Sequence, residues 1–133
     1  MKSHLLIFLF AFSLFFTFAC AQESQEKAIK QIESTDAVDL LKSDSSIIVL
    51  DVRTPEEFNA GHVKDAINID ITQPDAFSKI DNLKTSDKYI VYCRTKNRSK
   101  TAVDYMTQKG FNHVYHIMDG YVGWDRKNLP LEK

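Results

Sequence analysis

Acidic residues are absent from the first 21 positions, cysteine occurs only at Cys20 and Cys93, and the chain of 133 residues has no excess of positive charge. Each scarcity excludes something. A domain that begins after residue 21 loses Lys2 and no acid. It keeps 16 Lys and Arg against 18 Asp and Glu, a net charge of −2, which is a poor fit to general nucleic-acid binding. With Cys20 cleaved off or modified, no disulfide can form inside that domain, and Cys93 is left as a lone thiol, either inert or kept for chemistry. Neither His113 nor His116 has a ligand partner at metal spacing, so no metal is expected. Internal repeats are absent, and the length suits one compact domain.

The N-terminus has the three regions of an export signal: Lys2 in a basic start, an apolar run from Leu5 to Ala21, and small residues around Ala19-Cys20-Ala21. The run is short for a membrane span, and an uncleaved anchor is the alternative. Thr17-Phe18-Ala19-Cys20-Ala21-Gln22 is similar to a bacterial lipoprotein signal, although Thr17 departs from the leucine usual three residues before the lipidated cysteine. The competing reading is an ordinary small-x-small cleavage site with a mature start at Gln22. The organisation expected is an export signal over 1–21, a polar tether over 22–27 and a domain over 28–133. The location expected is periplasm or cell envelope, with the only membrane contact a lipid anchor at Cys20.

Within the domain, Ile47 to Val52 and Tyr89 to Cys93 are apolar without alternation, as for parallel strands covered on both faces. Weaker strand candidates are Ile29 to Ile32, Ala66 to Ile69 and Val114 to Ile117. Helices lie between them. Thr54-Pro55-Glu56-Glu57 combines a capping hydroxyl, a proline suited to a first turn and a glutamate at the reciprocal capping position, which predicts a helix from Pro55. A second helix is expected over 99–109, ending at Gly110, and a short one over 121–127. Alternating strands and helices give an α/β fold on a mostly parallel sheet, whose ligands gather at the carboxyl ends of the strands. Asp51 to Arg53 and Cys93 to Arg98 sit there.

Cys93-Arg94-Thr95-Lys96-Asn97-Arg98-Ser99 joins a buried strand to a helix N-terminus. Unpaired amides and the positive helix end favour an anion at such a place, and a cysteine there favours the thiolate. Arg94, Lys96, Arg98 and Lys100 make a basic island without an intervening acid, inside an acidic domain, which attracts small anions.

Three blocks carry a resemblance to the rhodanese family, from about Ile32 to Trp124. Leu50-Asp51-Val52-Arg53-Thr54-Pro55-Glu56-Glu57-Phe58, continued by Gly61-His62-Val63 and Ala66-Ile67-Asn68-Ile69, is similar to the N-terminal signature. Residues 93–99 are similar to the active-site loop, and Asp119-Gly120-Tyr121-Val122-Gly123-Trp124 matches the C-terminal signature more loosely. The resemblance implies a central parallel sheet of five strands flanked by helices on both faces. It also implies a sulfurtransferase cycle in which Cys93 carries sulfur as a persulfide between a small anionic donor and a thiol, cyanide or protein acceptor. No cofactor is implied, and a monomer is expected. Arg94, Thr95, Lys96, Asn97, Arg98 and Ser99 are the candidate donor-binding residues, while Asp51 and Arg53 are expected to support the site. Lys96 stands where many members have glycine, Lys64-Asp65 replaces a proline-glycine turn, and Asp119 replaces the first of a glycine pair.

Other readings compete. A cysteine phosphatase or arsenate reductase needs arginine six positions after the cysteine, where this chain has Ser99. A partner-binding module of the same fold usually lacks the cysteine, and a sulfur carrier shares the chemistry. The basic cluster could be a solvated rim and Cys93 a core thiol. His62 is expected as a turn residue bonded to backbone, and Tyr121 with Trp124 as packing of the last helix.

Overall fold

The computed structural model describes residues 29–133, so the expectations for the export signal, the tether and Cys20 lie outside the described residues. In chain order the elements are β1 (Ile29–Ile32), α1 (Ser34–Ser43), β2 (Ile48–Asp51), α2 (Pro55–Ala60), β3 (His62–Val63), β4 (Ile67–Asn68), α3 (Ala76–Asp81), β5 (Lys88–Tyr92), α4 (Asn97–Gln108), β6 (His113–Ile117), α5 (Gly120–Arg126) and β7 (Leu131–Glu132). Five strands form a parallel sheet in the order β1-β6-β5-β2-β4, and β3 pairs antiparallel with β7. This is the expected α/β architecture.

The apolar strands are explained by what covers them. Leu50, Val52, Tyr89, Val91, Cys93 and Val114 face one core with Ala76 and Ile80 of α3 and Ala102, Val103 and Met106 of α4. Val49, Ile90, Tyr92 and Ile117 face the other with Ala37 of α1 and Trp124 of α5. Because side chains alternate along a strand, only two-sided cover makes every position of a central strand apolar.

Local signals act as expected at α2, where Thr54 and Glu57 form the reciprocal capping box ahead of Pro55. Helix α4 starts at Asn97, two residues before the expected Ser99, and Gly110 follows its end at φ 80°. His62 lies in β3, a two-residue strand where a turn was expected; its Nδ1 meets the Phe58 carbonyl at 3.0 Å and its ring stacks on Phe58. Asp65, in the turn that departs from proline-glycine, takes φ 60° and donates its N–H to Glu132. That left-handed conformation is easier for aspartate than for most residues other than glycine. Lys96 has φ −146°, open to any residue, so lysine in place of glycine carries no left-handed strain.

Candidate active site

The site assembles at the carboxyl ends of β2 and β5, which are neighbours in register, Asp51 beside Tyr92. Asp51 is 0 % and Arg53 2 % exposed. The Arg53 guanidinium donates to both Asp51 carboxylate oxygens, through Nε at 2.9 and 3.0 Å and Nη2 at 2.6 Å, and also to the Gly61 carbonyl at 2.7 Å. The Tyr92 hydroxyl donates to Asp51 at 2.5 Å, and the Tyr121 ring lies 4.0 Å from the guanidinium carbon. Burial works against the charge on Arg53, but the hydrogen bonds to Asp51 and that carboxylate's charge outweigh it, and the guanidinium pKa is raised. Burial and the same carboxylate push the Tyr92 phenol up. Asp51 and Arg53 therefore pair with each other and knit β2, β5, α5 and the start of β3 beneath the loop. Tyr121 joins this cluster and is more than packing for α5, whereas Trp124 is buried and donates Nε1–H to the Pro130 carbonyl.

Cys93 follows β5 directly and is 1 % exposed. From 94 to 99, no amide donates to a backbone carbonyl among the described residues, and the N-terminus of α4 has no side-chain cap. The chain thus presents the set of free donors expected of an anion cradle at a helix start. Helix α5 holds the loop from behind: Tyr121 N–H donates to the Cys93 carbonyl at 2.9 Å and Val122 N–H to the Arg94 carbonyl at 3.1 Å. Gly120 is what permits this approach, since at φ 57° a Cβ there would fall 2.1 Å from the Thr95 carbonyl oxygen. Asp119, at the departure from the glycine pair, accepts from Ser34 N–H at 2.8 Å, Ser34 Oγ at 2.6 Å and Lys127 Nζ at 2.8 Å, and so ties α5 to α1.

The basic loop divides. Arg98 makes a two-pronged ion pair with Glu57, Nη1 to Oε2 at 2.6 Å and Nη2 to Oε1 at 2.9 Å. Despite partial burial, the Arg98 guanidinium and the Thr54 backbone hold the Glu57 carboxyl down at about 2, and Glu57 raises the Arg98 pKa, with smaller help from Cys93 and Asp51. Lys100 pairs with Asp104 on its own helix. Arg94 and Lys96 are exposed, as are the uncharged Thr95 and Asn97, and neither cation has an ion pair among the described residues, in contrast to Arg98 and Lys100. Arg94 also lines a cavity of about 530 Å³ with Arg53, Glu57, Tyr121 and Arg126. Glu57 was legible only as a cap; its second role, clamping the loop arginine, needed α2 to pack beside α4.

Ser99 and His116 complete the site from below. Ser99 is 0 % and His116 4 % exposed. The Cys93 thiol donates to Ser99 Oγ at 3.3 Å, Ser99 Oγ lies 2.7 Å from His116 Nε2, and it donates to the Lys96 carbonyl at 3.1 Å. Spacing alone does not single out His116, which has no ligand partner at metal distance in the sequence. The alternation of β6, which turns His116 to the same face as the buried Val114, was the available signal. His113 is exposed. With Ser99 facing the sulfur and Arg98 held by Glu57, the position at which a phosphatase places its arginine holds a hydroxyl.

Comparison with known proteins finds relatives of this chain and of its fold. The chain is 30 % identical over 104 residues to a sulfurtransferase of Allochromatium vinosum, covering 77 % of this chain and 94 % of that protein. Over 93 residues it is 36 % identical to the chloroplastic thiosulfate sulfurtransferase 16 of Arabidopsis thaliana, covering 62 % and 78 % of the two chains. The crystal structure of a rhodanese-related protein of Thermoplasma volcanium superposes with a TM-score of 0.69 at 31 % identity, covering 77 % of this chain and 97 % of that one. The Rhodanese-like domain model matches residues 33–127, and the chain belongs to that family.

Proposed function

We propose that the protein moves sulfane sulfur from a small anionic donor, such as thiosulfate or a persulfide, to a thiophilic acceptor through a persulfide on Cys93. The observation that carries this reading is the placement of the domain's one thiol at the mouth of β5, under a loop of free amides and against the N-terminus of the twelve-residue α4. That environment stabilises a thiolate and then the anionic persulfide that replaces it. The thiolate attacks the outer sulfur of thiosulfate, a new S–S bond forms, and sulfite leaves with the electron pair of the donor S–S bond. An acceptor thiolate or cyanide then takes the outer sulfur, and the pair from the cleaved S–S bond returns to Cys93 as thiolate. Arg94 and Lys96, exposed on the loop, draw the donor in, while Arg98 acts at longer range through its charge. Relatives named as sulfurtransferases support the same reading.

Intact mass spectrometry after incubation with thiosulfate, polysulfide or a low-molecular-weight persulfide tests it. The expected result is a gain of one sulfur atom, located on the peptide containing Cys93 and reversed by a thiol reductant. No gain with any of the donors would overturn the reading.

We also propose that the domain works outside the cytoplasm on a lipid anchor at Cys20, the reading supported by the apolar run from Leu5 to Ala21 and the polar stretch from Gln22 to Lys27. Expressed in a bacterial host, the protein is expected to partition with membranes, and Cys20→Ser to release it or leave it unprocessed. Recovery of unmodified protein starting at Gln22 in the soluble fraction would count against the anchor.

A further inference from the structure

The contacts behind Cys93 form a line that ends on β6, and sulfur transfer as described above makes no use of its far end. Ser99 Oγ is 3.3 Å from the sulfur and 2.7 Å from His116 Nε2. His116 sits in register with Gln31 of β1 and Val91 of β5, and it borders a second cavity, of about 410 Å³, whose lining includes Lys96 and Asn97 and does not include Arg94. All three residues of the line are buried, so the proton of each must be accounted for.

In the thiol form the account closes. Cys93 donates to Ser99 Oγ, the Ser99 hydroxyl donates to the Lys96 carbonyl, and Ser99 Oγ has a second lone pair for an imidazole N–H. Once Cys93 is a thiolate or a persulfide, the sulfur needs a donor in place of an acceptor. The Ser99 hydroxyl can supply it by rotating away from the Lys96 carbonyl. We propose that His116 is a positioning residue for sulfur chemistry, donating Nε2–H to Ser99 Oγ so that the Ser99 hydroxyl turns toward Cys93 and stabilises its anionic sulfur. The step breaks no covalent bond; a hydroxyl proton rotates between two acceptors.

The role requires a neutral ring. Burial holds His116 below its ordinary value, partly offset by the Lys96 carbonyl and by Asp104, while the charges of Lys100 and Lys96 add to the effect. Those three side chains are the charged groups facing the ring from the loop and α4; in register on either side, β1 and β5 contribute the uncharged Gln31 and Val91. A neutral imidazole carries one N–H; with the Ser99 hydroxyl proton on the Lys96 carbonyl, the 2.7 Å contact is a hydrogen bond only if that N–H is on Nε2, the tautomer the proposal requires.

The inference rests on Cys93 as the sulfur carrier, and its test is separable from that reading because it follows thiol ionisation alone. The rate of Cys93 alkylation by iodoacetamide is measured against pH on the full chain, with the adduct assigned by peptide mass so that Cys20 does not contribute. Ser99→Ala and His116→Leu are expected to move the midpoint up by roughly one to two pH units, the scale of a hydrogen bond to an ion. His116→Gln, which keeps an N–H at similar reach, is expected to restore most of the shift. A packing role would leave the midpoint unmoved, and that result overturns the proposal, as does a His116→Gln variant shifted as far as His116→Leu. Nitrogen-15 NMR of the unsubstituted protein gives a second check that needs no variant: the Nε2–H tautomer is expected, and the Nδ1–H tautomer overturns the proposal. Failure of the unsubstituted protein to take up sulfur, with the midpoint shifts intact, would reject the transfer cycle and leave this arrangement standing.

Discussion

Cys93→Ser is expected to lower sulfur transfer from thiosulfate to cyanide by on the order of a thousandfold or more, to the uncatalysed background, with the fold retained. The exchange removes a thiol nucleophile and substitutes a hydroxyl, which is far harder to ionise and a much weaker nucleophile toward sulfur. It changes little else. Ser99 Oγ stands 3.3 Å from the present sulfur and can accept from a serine hydroxyl with a small adjustment, so the new polar atom is not orphaned in the core it shares with Val91, Ala102 and Met106. The cost in stability is expected to stay near 1 kcal/mol, the scale of one rearranged hydrogen bond. Thermal unfolding by circular dichroism gives the structural control, and the mass gain on the Cys93 peptide gives the chemical one. Residual turnover within tenfold of the parent in a folded variant would remove Cys93 from the mechanism, and Cys20 would be the remaining thiol to examine.

How far this could be read from residues alone depended on whether the signal was local. Strands β2 and β5 were legible because two-sided burial makes them continuously apolar, and α2 because its cap and its proline lie within four residues, whereas β1, β4 and β6 are only partly covered and gave weaker signals. Helices α1 and α3 were not individually placed. Only Ser34 and Ala37 of α1 are fully buried, and α3 has six residues with no side-chain cap. The β3–β7 ribbon was invisible for a different reason: it pairs His62 with Glu132, and no local pattern encodes a contact across that much chain. The site divides in the same way. Its loop is contiguous, so Cys93 through Ser99 could be named from spacing and charge. Glu57 and His116 reach it only because α2 packs beside the start of α4 and β6 pairs with β5. A glutamate that completes a cap, and a histidine in a strand, each have a sufficient local explanation, which hides the second role.

Asp51→Ala is expected to destabilise the domain by about 3–5 kcal/mol, the cost of removing one partner from a buried ion pair. The carboxylate is 0 % exposed and accepts from Arg53 N–H at 2.9 Å, from Arg53 Nε and Nη2, and from the Tyr92 hydroxyl. Alanine would leave a guanidinium that is 2 % exposed with, among the described residues, only the Gly61 carbonyl as a hydrogen-bond acceptor and the Tyr121 ring beside it. Neither offsets a buried charge. Asp51→Asn keeps the shape but points an NH₂ or a weaker acceptor at the guanidinium, so its loss should be smaller but still measurable. Replacing both partners by apolar residues of similar volume should recover part of the loss, because the expense lies in the uncompensated charge more than in the absent attraction. Urea titrations give the free energies, and the denaturant slope shows whether the native state stayed compact. The same titrations followed by sulfur uptake on Cys93 would show loading fall with the folded fraction, as expected if Asp51 supports the loop through β2 and β5 without touching the donor. A loss below about 1 kcal/mol for Asp51→Ala would mean that water enters and screens Arg53, and the cluster beneath the loop would then be a surface ion pair in energetic terms.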